Sequence, residues 1–253
     1  MARNPVQHVP SRQNLRNTLG LSREFGFLEF NTIDQVEWWD DFIGDTIHGG
    51  YVTATNGTGA DALAISATGI SGEATIKNGT ADDAYSGFGT GLEWYGQLNC
   101  AMAVRLKTDD IAATKIEVGF TDATDDAGAV NDLDGATFTA TDCAVWAFDT
   151  DDSTDNWKLA STPDGGTNDT VTDTGFAPAA DTYETLIIAL EDTAAHFYRL
   201  DSNGYQTYKA SHTTGPSKDV ALTPWVFTQT REGSDEKTVT VDFIRVWQRR
   251  TVS

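Results

Sequence analysis

From Val36 to Gln248 the chain is written in short runs of Val, Ile, Thr, Phe, Tyr and Trp. Clusters of Gly, Asn, Asp and Ser separate them, and helical periodicity is almost absent. Runs of that length and composition form strands, and the polar clusters between them form turns. The pattern predicts strands over Gly50–Ala54, Ala62–Ala67, Gly72–Ile76, Leu98–Leu106, Lys115–Thr121, Cys143–Asp149, Trp157–Ser161, Thr182–Glu191, Ala195–Leu200, Tyr205–Lys209, Leu222–Thr230 and Thr238–Gln248. A dozen short strands without crossover helices point to an antiparallel sandwich or barrel. The chain has no internal repeat, and its 253 residues suffice for one large β domain whose core needs no metal or disulfide.

Two local patterns are sharper. Asp201-Ser-Asn-Gly204 supplies the residues that tolerate positive φ, between two strand-like runs, and predicts a hairpin. The last run, Val239 to Gln248, is apolar on both faces, as expected of a strand in the interior of a sheet. Val241, Phe243, Ile188 and Phe120 are the expected core. Cys100 and Cys143 sit in apolar runs and read as buried thiols, a single cross-strand disulfide being the alternative.

The charge is unevenly distributed. Before Glu24 there are four arginines, Arg3, Arg12, Arg16 and Arg23, and no acid; the remaining 13 basic and 38 acidic residues leave a body of net charge −25. An acidic body argues against phosphate-neutralising contact with nucleic acid. Residues 1–35 read as an extended basic arm, with Pro5 and Pro10 disfavouring helix and only Asn14–Leu21 suited to a helical turn. About 30 extended residues reach about 100 Å, far enough to touch a neighbouring subunit. The N-terminus lacks the apolar core of a secretory signal and no run is long enough to span a membrane, so synthesis in a cytoplasm without membrane insertion is expected.

Several segments carry a resemblance: Tyr183-Glu-Thr-Leu-Ile-Ile-Ala-Leu190, the Phe197–Gly204 hairpin, Leu222-Thr-Pro-Trp225, Val241-Asp-Phe-Ile-Arg-Val-Trp247 and, upstream, Met102–Leu106 followed by Ile116-Glu-Val-Gly-Phe-Thr-Asp122. Their order resembles the concanavalin A-like lectin and glucanase superfamily. It implies an all-β, two-sheet antiparallel jelly-roll sandwich over residues 36–253. The glycosidase branch of that superfamily carries a Glu-x-Asp-x-x-Glu strand, which sets its acids on one face because alternate strand residues point the same way. Here the nearest segment offers Glu117 and Asp122, five positions apart and on opposite faces of a regular strand. The Arg-x-Glu and Gln-x-His strands of the alginate-lyase branch are also missing.

Other candidate sites are local. Asp149, Asp151, Ser153 and Asp155 place oxygens at alternate positions, as in a loop that wraps Ca²⁺. Thr154 stands where such a loop needs Gly, and a solvated acidic turn fits the same residues. Asp122, Asp125, Asp126, Asp132 and Asp134 would add ligands if the two loops met. Trp94 and Tyr95, flanked by Gly91 and Gly96, would suit stacking against a sugar ring. Trp38, Trp39, Trp146, Trp225 and Trp247 lie in strand-like runs and read as core or inter-subunit contacts. His8, His48, His196 and His212 show no paired spacing, and no nucleophile–base constellation emerges. The expectation is a non-enzymatic virion protein on a phage capsid, anchored by its arm to capsid or other virion proteins and homo-oligomeric. The alternative is a lectin-like module binding surface glycans.

Overall fold

The structure is a computed structural model that describes residues 35–250, except 68–71, 92, 125–127, 167 and 234. Arg3, Arg12, Arg16 and Arg23, the Asn14–Leu21 turn, and Asp125 and Asp126 lie outside the described residues. Every strand pair is antiparallel. In chain order the strands are β1 (Gln35–Asp40), β2 (Val52–Asn56), β3 (Asp61–Ile65), β4 (Ala74–Lys77), β5 (Tyr85–Gly89), β6 (Ala101–Thr108), β7 (Thr114–Thr121), β8 (Val130–Asp132), β9 (Thr137–Phe138), β10 (Cys143–Asp149), β11 (Lys158–Thr162), β12 (Thr170–Asp173), β13 (Glu184–Glu191), β14 (Ala194–Leu200), β15 (Gln206–His212), β16 (Thr223–Thr230) and β17 (Thr238–Arg249).

One sheet runs β15-β14-β13-β6-β17-β4-β3, with β1 also pairing β17; the facing sheet runs β12-β11-β10-β7-β16-β5-β2. The core between them takes alternate residues from each strand: Ile116, Val118 and Phe120 from β7, Ala144, Trp146 and Phe148 from β10, Leu186 and Ile188 from β13, and Val239 and Val241 from β17. Trp146 anchors it, packing edge-on against Trp157, Phe197 and Tyr208.

The expected hairpin joins β14 to β15. Asp201 Oδ1 accepts from the backbone N–H groups of Asn203 and Tyr205, and Gly204 takes a φ of 81°. β17 is interior as expected, with β6 along one side and β4 and β1 sharing the other. One core expectation is corrected. A bulge between Val241 and Phe243 inverts the alternation, so Ile244 and Val246 continue the core. Phe243 is only half-buried and packs on the outer face beside Trp247. Cys100 and Cys143 are free, buried thiols, Cys100 in the inter-sheet core and Cys143 outside it.

Four elements escape the sequence pattern: β1, β5, β12 and the β8–β9 pair. β5 reads Tyr-Ser-Gly-Phe-Gly, which looks like a loop, yet it is buried throughout. A Cβ on Gly87 would lie 2.5 Å from the Trp225 ring, and one on Gly89 would lie 2.2 Å from the Pro224 carbonyl oxygen. The glycines therefore make room for Trp225 and the β16 backbone rather than break the strand.

Candidate functional site

Glu117, the acid singled out in the sequence, lies on the outer face of the seven-stranded sheet, on β7 between β10 and β16. Lys115 and Glu117 point outward there, because Ile116 and Val118 point in. Both are 1% exposed, and Lys115 Nζ lies 2.9 Å from Glu117 Oε1. Residues 128–140 fold over them. The backbone N–H groups of Ala129 and Val130 donate to Glu117 at 2.5 and 3.1 Å, and Lys115 Nζ donates to the Val130 carbonyl. A Cβ on Gly128 would lie 2.5 Å from Glu117 Oε2, so this approach needs glycine, at a φ of 68°. Ala129, Val130, Leu133 and Ala140 then pack on Cys143, Val145, Ala147 and Ala160, which explains why β10 is apolar on both faces.

The carboxylate opposite Lys115 on this face, Asp149, is also occupied. It takes a bidentate contact from Arg231, with Nε at 2.8 Å, and is 2% exposed. Each acid thus has its own cation, an arrangement that ties residues 128–140 and Arg231 to this face of the sheet.

The Asp149–Asp155 loop does not gather its oxygens round one point. Asp149 and, at 3.6 Å, Asp151 face Arg231. Ser153 donates its backbone N–H to Asp134 Oδ2, and Asp155 is exposed. No three acidic, His or Cys side chains converge as metal ligands among the described residues. The two acidic loops do meet, but across a cation: Lys158 Nζ lies 2.5 Å from Asp134 and 3.2 Å from Asp152. The Lys158 contact, with that of Ser153, draws the Asp134 pKa down to about 2. Burial outweighs Lys158 at Asp152 and pushes its pKa up to about 6. The acids of these loops face Arg231 and Lys158, and the pattern of acids alone could not reveal that the cations would come from the start of β11 and from the residue after β16.

The stacking pair is also corrected. Trp94 is only 4% exposed and belongs to the core, its Nε1 donating to Thr90 Oγ1 at 2.9 Å. Tyr95 is half-buried, with its backbone N–H on Gln248 Oε1. Among the described residues the aromatics that do face solvent are Tyr205, at the β14–β15 hairpin, and Trp39, 65% exposed beside Ile43 at 76%. Trp39 and Ile43 border a groove of about 560 Å³ whose wall includes Trp38, Phe42, Ile47 and Ile65. Glu37, facing outward with Trp39 in the alternation of β1, was the available signal. A second cleft of about 310 Å³, lined by Asn56, Asp82, Asp83, Asn131, Gln229 and Arg231, is polar and holds no aromatic ring.

No protein-family profile and no curated protein matches the chain. Solved structures do. A Bacillus licheniformis β-glucanase superposes with a TM-score of 0.54 at 14% identity, over 83% of this chain and 97% of its own. Peanut lectin superposes with a TM-score of 0.58 at 11% identity, over 86% and 99%. The fold is the concanavalin A-like sandwich. A protein of unknown function from Shewanella oneidensis MR-1 shares it over 99% of this chain and 98% of its own, with a TM-score of 0.62 at 15% identity. Lectins and glucanases both use this scaffold, so fold alone leaves open whether such a sandwich binds or cleaves.

Proposed function

We propose that the protein is a non-catalytic structural component of an assembled particle, a phage capsid surface, to which it attaches through its N-terminal segment and the apolar ledge next to β1. The observation that carries this reading is the ledge itself. Trp39 and Ile43 stand out from an acidic surface that includes Glu37, Asp40, Asp41 and Asp45, next to the point where the basic N-terminal residues join the sandwich. Large apolar side chains grouped beside a groove mark a surface that binds another protein. Acids around it suit a partner carrying positive charge. The cation-paired Glu117 and Asp149 support the non-catalytic half of the reading.

A second reading, glycan binding, is favoured by the polar cleft around Asp83, Asn131 and Gln229, whose amides and carboxylates suit hydroxyl groups. Co-sedimentation with assembled capsids tests the first reading. Full-length protein should pellet with the particles, whereas the Ile43→Glu variant and a variant lacking residues 1–34 should remain in the supernatant. Equal pelleting by all three, or none by any, would remove the assembly reading. Specific retention on a glycan array, lost with Asn131→Ala, would put the second in its place.

A further inference from the structure

Residues 151–155 belong to the loop that links β10 to β11, and Asp151, Ser153, Thr154 and Asp155 are exposed. Asp152 alone turns inward. Its side chain is 4% exposed, and its Oδ2 is buried without a hydrogen bond, 3.2 Å from Lys158 Nζ on β11. That ammonium is shared. Lys158 lies closer to Asp134 of the β8–β9 turn, at 2.5 Å, and Asp134 also accepts the Ser153 backbone N–H at 2.7 Å. Asp149, at the end of β10, adds negative charge and is bound by Arg231. Asp173, at the end of β12, accepts from the Thr154 hydroxyl and the Asn156 side-chain amide. The cluster therefore holds more carboxylates than cations. A carboxylate buried there without a hydrogen bond, and with only a share in one ammonium, is costly, whereas the neutral acid is not. Burial raises the Asp152 pKa to about 6; Lys158 opposes the rise, and Asp149 and Asp134 add to it.

We propose that Asp152 is a protonation-controlled latch: with its proton it stays tucked against β11 and holds residues 151–155 down, and without it these residues lift so that the carboxylate meets water. The sign follows from the two environments. The tucked carboxyl holds its proton more tightly than a hydrated one, whose ordinary value is about 3.9, so acid favours the closed loop and the preference is lost as pH rises through about 6. Between pH 5 and 7.5 the ratio of lifted to closed loop should rise about tenfold. The position of the loop also reaches the polar cleft. Asp151 faces Arg231 at 3.6 Å, and Arg231 lines that cleft, so lifting the loop removes an acid from beside the cation.

The latch needs neither a capsid nor a glycan, and it is tested on the isolated full chain. The Ser153 amide, bonded to Asp134 while the loop is closed, reports its state by hydrogen exchange measured against the intrinsic rate at each pH. Its protection should fall about tenfold from pH 5 to 7.5 in the wild type. In Asp152→Asn, which keeps the shape of the side chain without the charge, protection should stay constant. Constant protection in the wild type, an equal fall in the variant, or an unprotected amide in the variant at pH 5 would each overturn the latch. The side-chain carboxyl carbon resonance of Asp152 gives an independent reading. It should titrate near pH 6 in the wild type and at lower pH in Asp134→Ala, which leaves Lys158 to Asp152 alone. A wild-type midpoint in the ordinary carboxylate range, or one that Asp134→Ala leaves in place, would equally overturn it.

Discussion

Replacing Lys115 with Met keeps the length and apolar stem of the side chain and removes its charge. Glu117 would then remain 1% exposed with its carboxylate held by the Ala129 and Val130 N–H groups and without the ammonium 2.9 Å away. Leaving one member of a buried pair uncompensated costs about 3–5 kcal/mol, whereas an apolar replacement of both is often neutral. Lys115→Met should therefore destabilise by that amount at pH 7. The Lys115→Met/Glu117→Leu double variant should recover at least about 2 kcal/mol of it, a coupling of the size found between side chains in direct contact. Urea denaturation followed by tryptophan fluorescence measures both. A loss below about 1 kcal/mol for Lys115→Met would show that the pair is hydrated in solution and that residues 128–140 do not seal this face.

Burial lowers the His212 pKa to about 4; its Nδ1 lies 2.8 Å from Ser161 Oγ and its Nε2 3.1 Å from Thr172 Oγ1. The unfolded chain takes up that proton first as pH falls, so this residue's stabilisation is complete above about pH 6.5 and is lost toward pH 4, by up to about 3 kcal/mol. Asp152, raised to about 6, acts in the opposite sense: its stabilisation is present at low pH and lost as pH rises toward 6. The effect is therefore sought in thermal melts as the difference between wild type and His212→Gln, which should change between pH 4 and 6.5. Because of the bulge, Ile244→Ala should cost about 2–5 kcal/mol and Phe243→Ala less than half as much in the same urea assay; the reverse order would restore regular alternation. Gly87→Ala, whose Cβ would lie 2.5 Å from the Trp225 ring, should cost about 1–3 kcal/mol by thermal melting.

The sandwich was legible in the sequence because its central strands state their faces. Cys143–Asp149 matches β10 end to end, and the Asp201–Gly204 hairpin and interior β17 appear as expected. Phe243 was misplaced because a bulge adds a residue without changing composition. β5 was missed because Gly87 and Gly89 owe their presence to Trp225, well over a hundred residues away in the chain. The sites were less legible for a related reason. Acids at alternate positions look alike whether they await a metal or face Arg231 and Lys158, and those cations come from β11 and the end of β16. Trp94 looked exposed between glycines, whereas its position over the core depends on backbone pairing with Leu222.

Reducing-sugar release from β-1,3- and β-1,4-glucans, for wild type and for Glu117→Gln, tests most directly whether this sandwich binds rather than cleaves. With Glu117 paired to Lys115 beneath residues 128–140, and Asp149 paired to Arg231, both proteins should leave the polymers intact after prolonged incubation. Turnover by the wild type that disappears on changing Glu117 to Gln would make Glu117 a working catalytic acid and contradict the account.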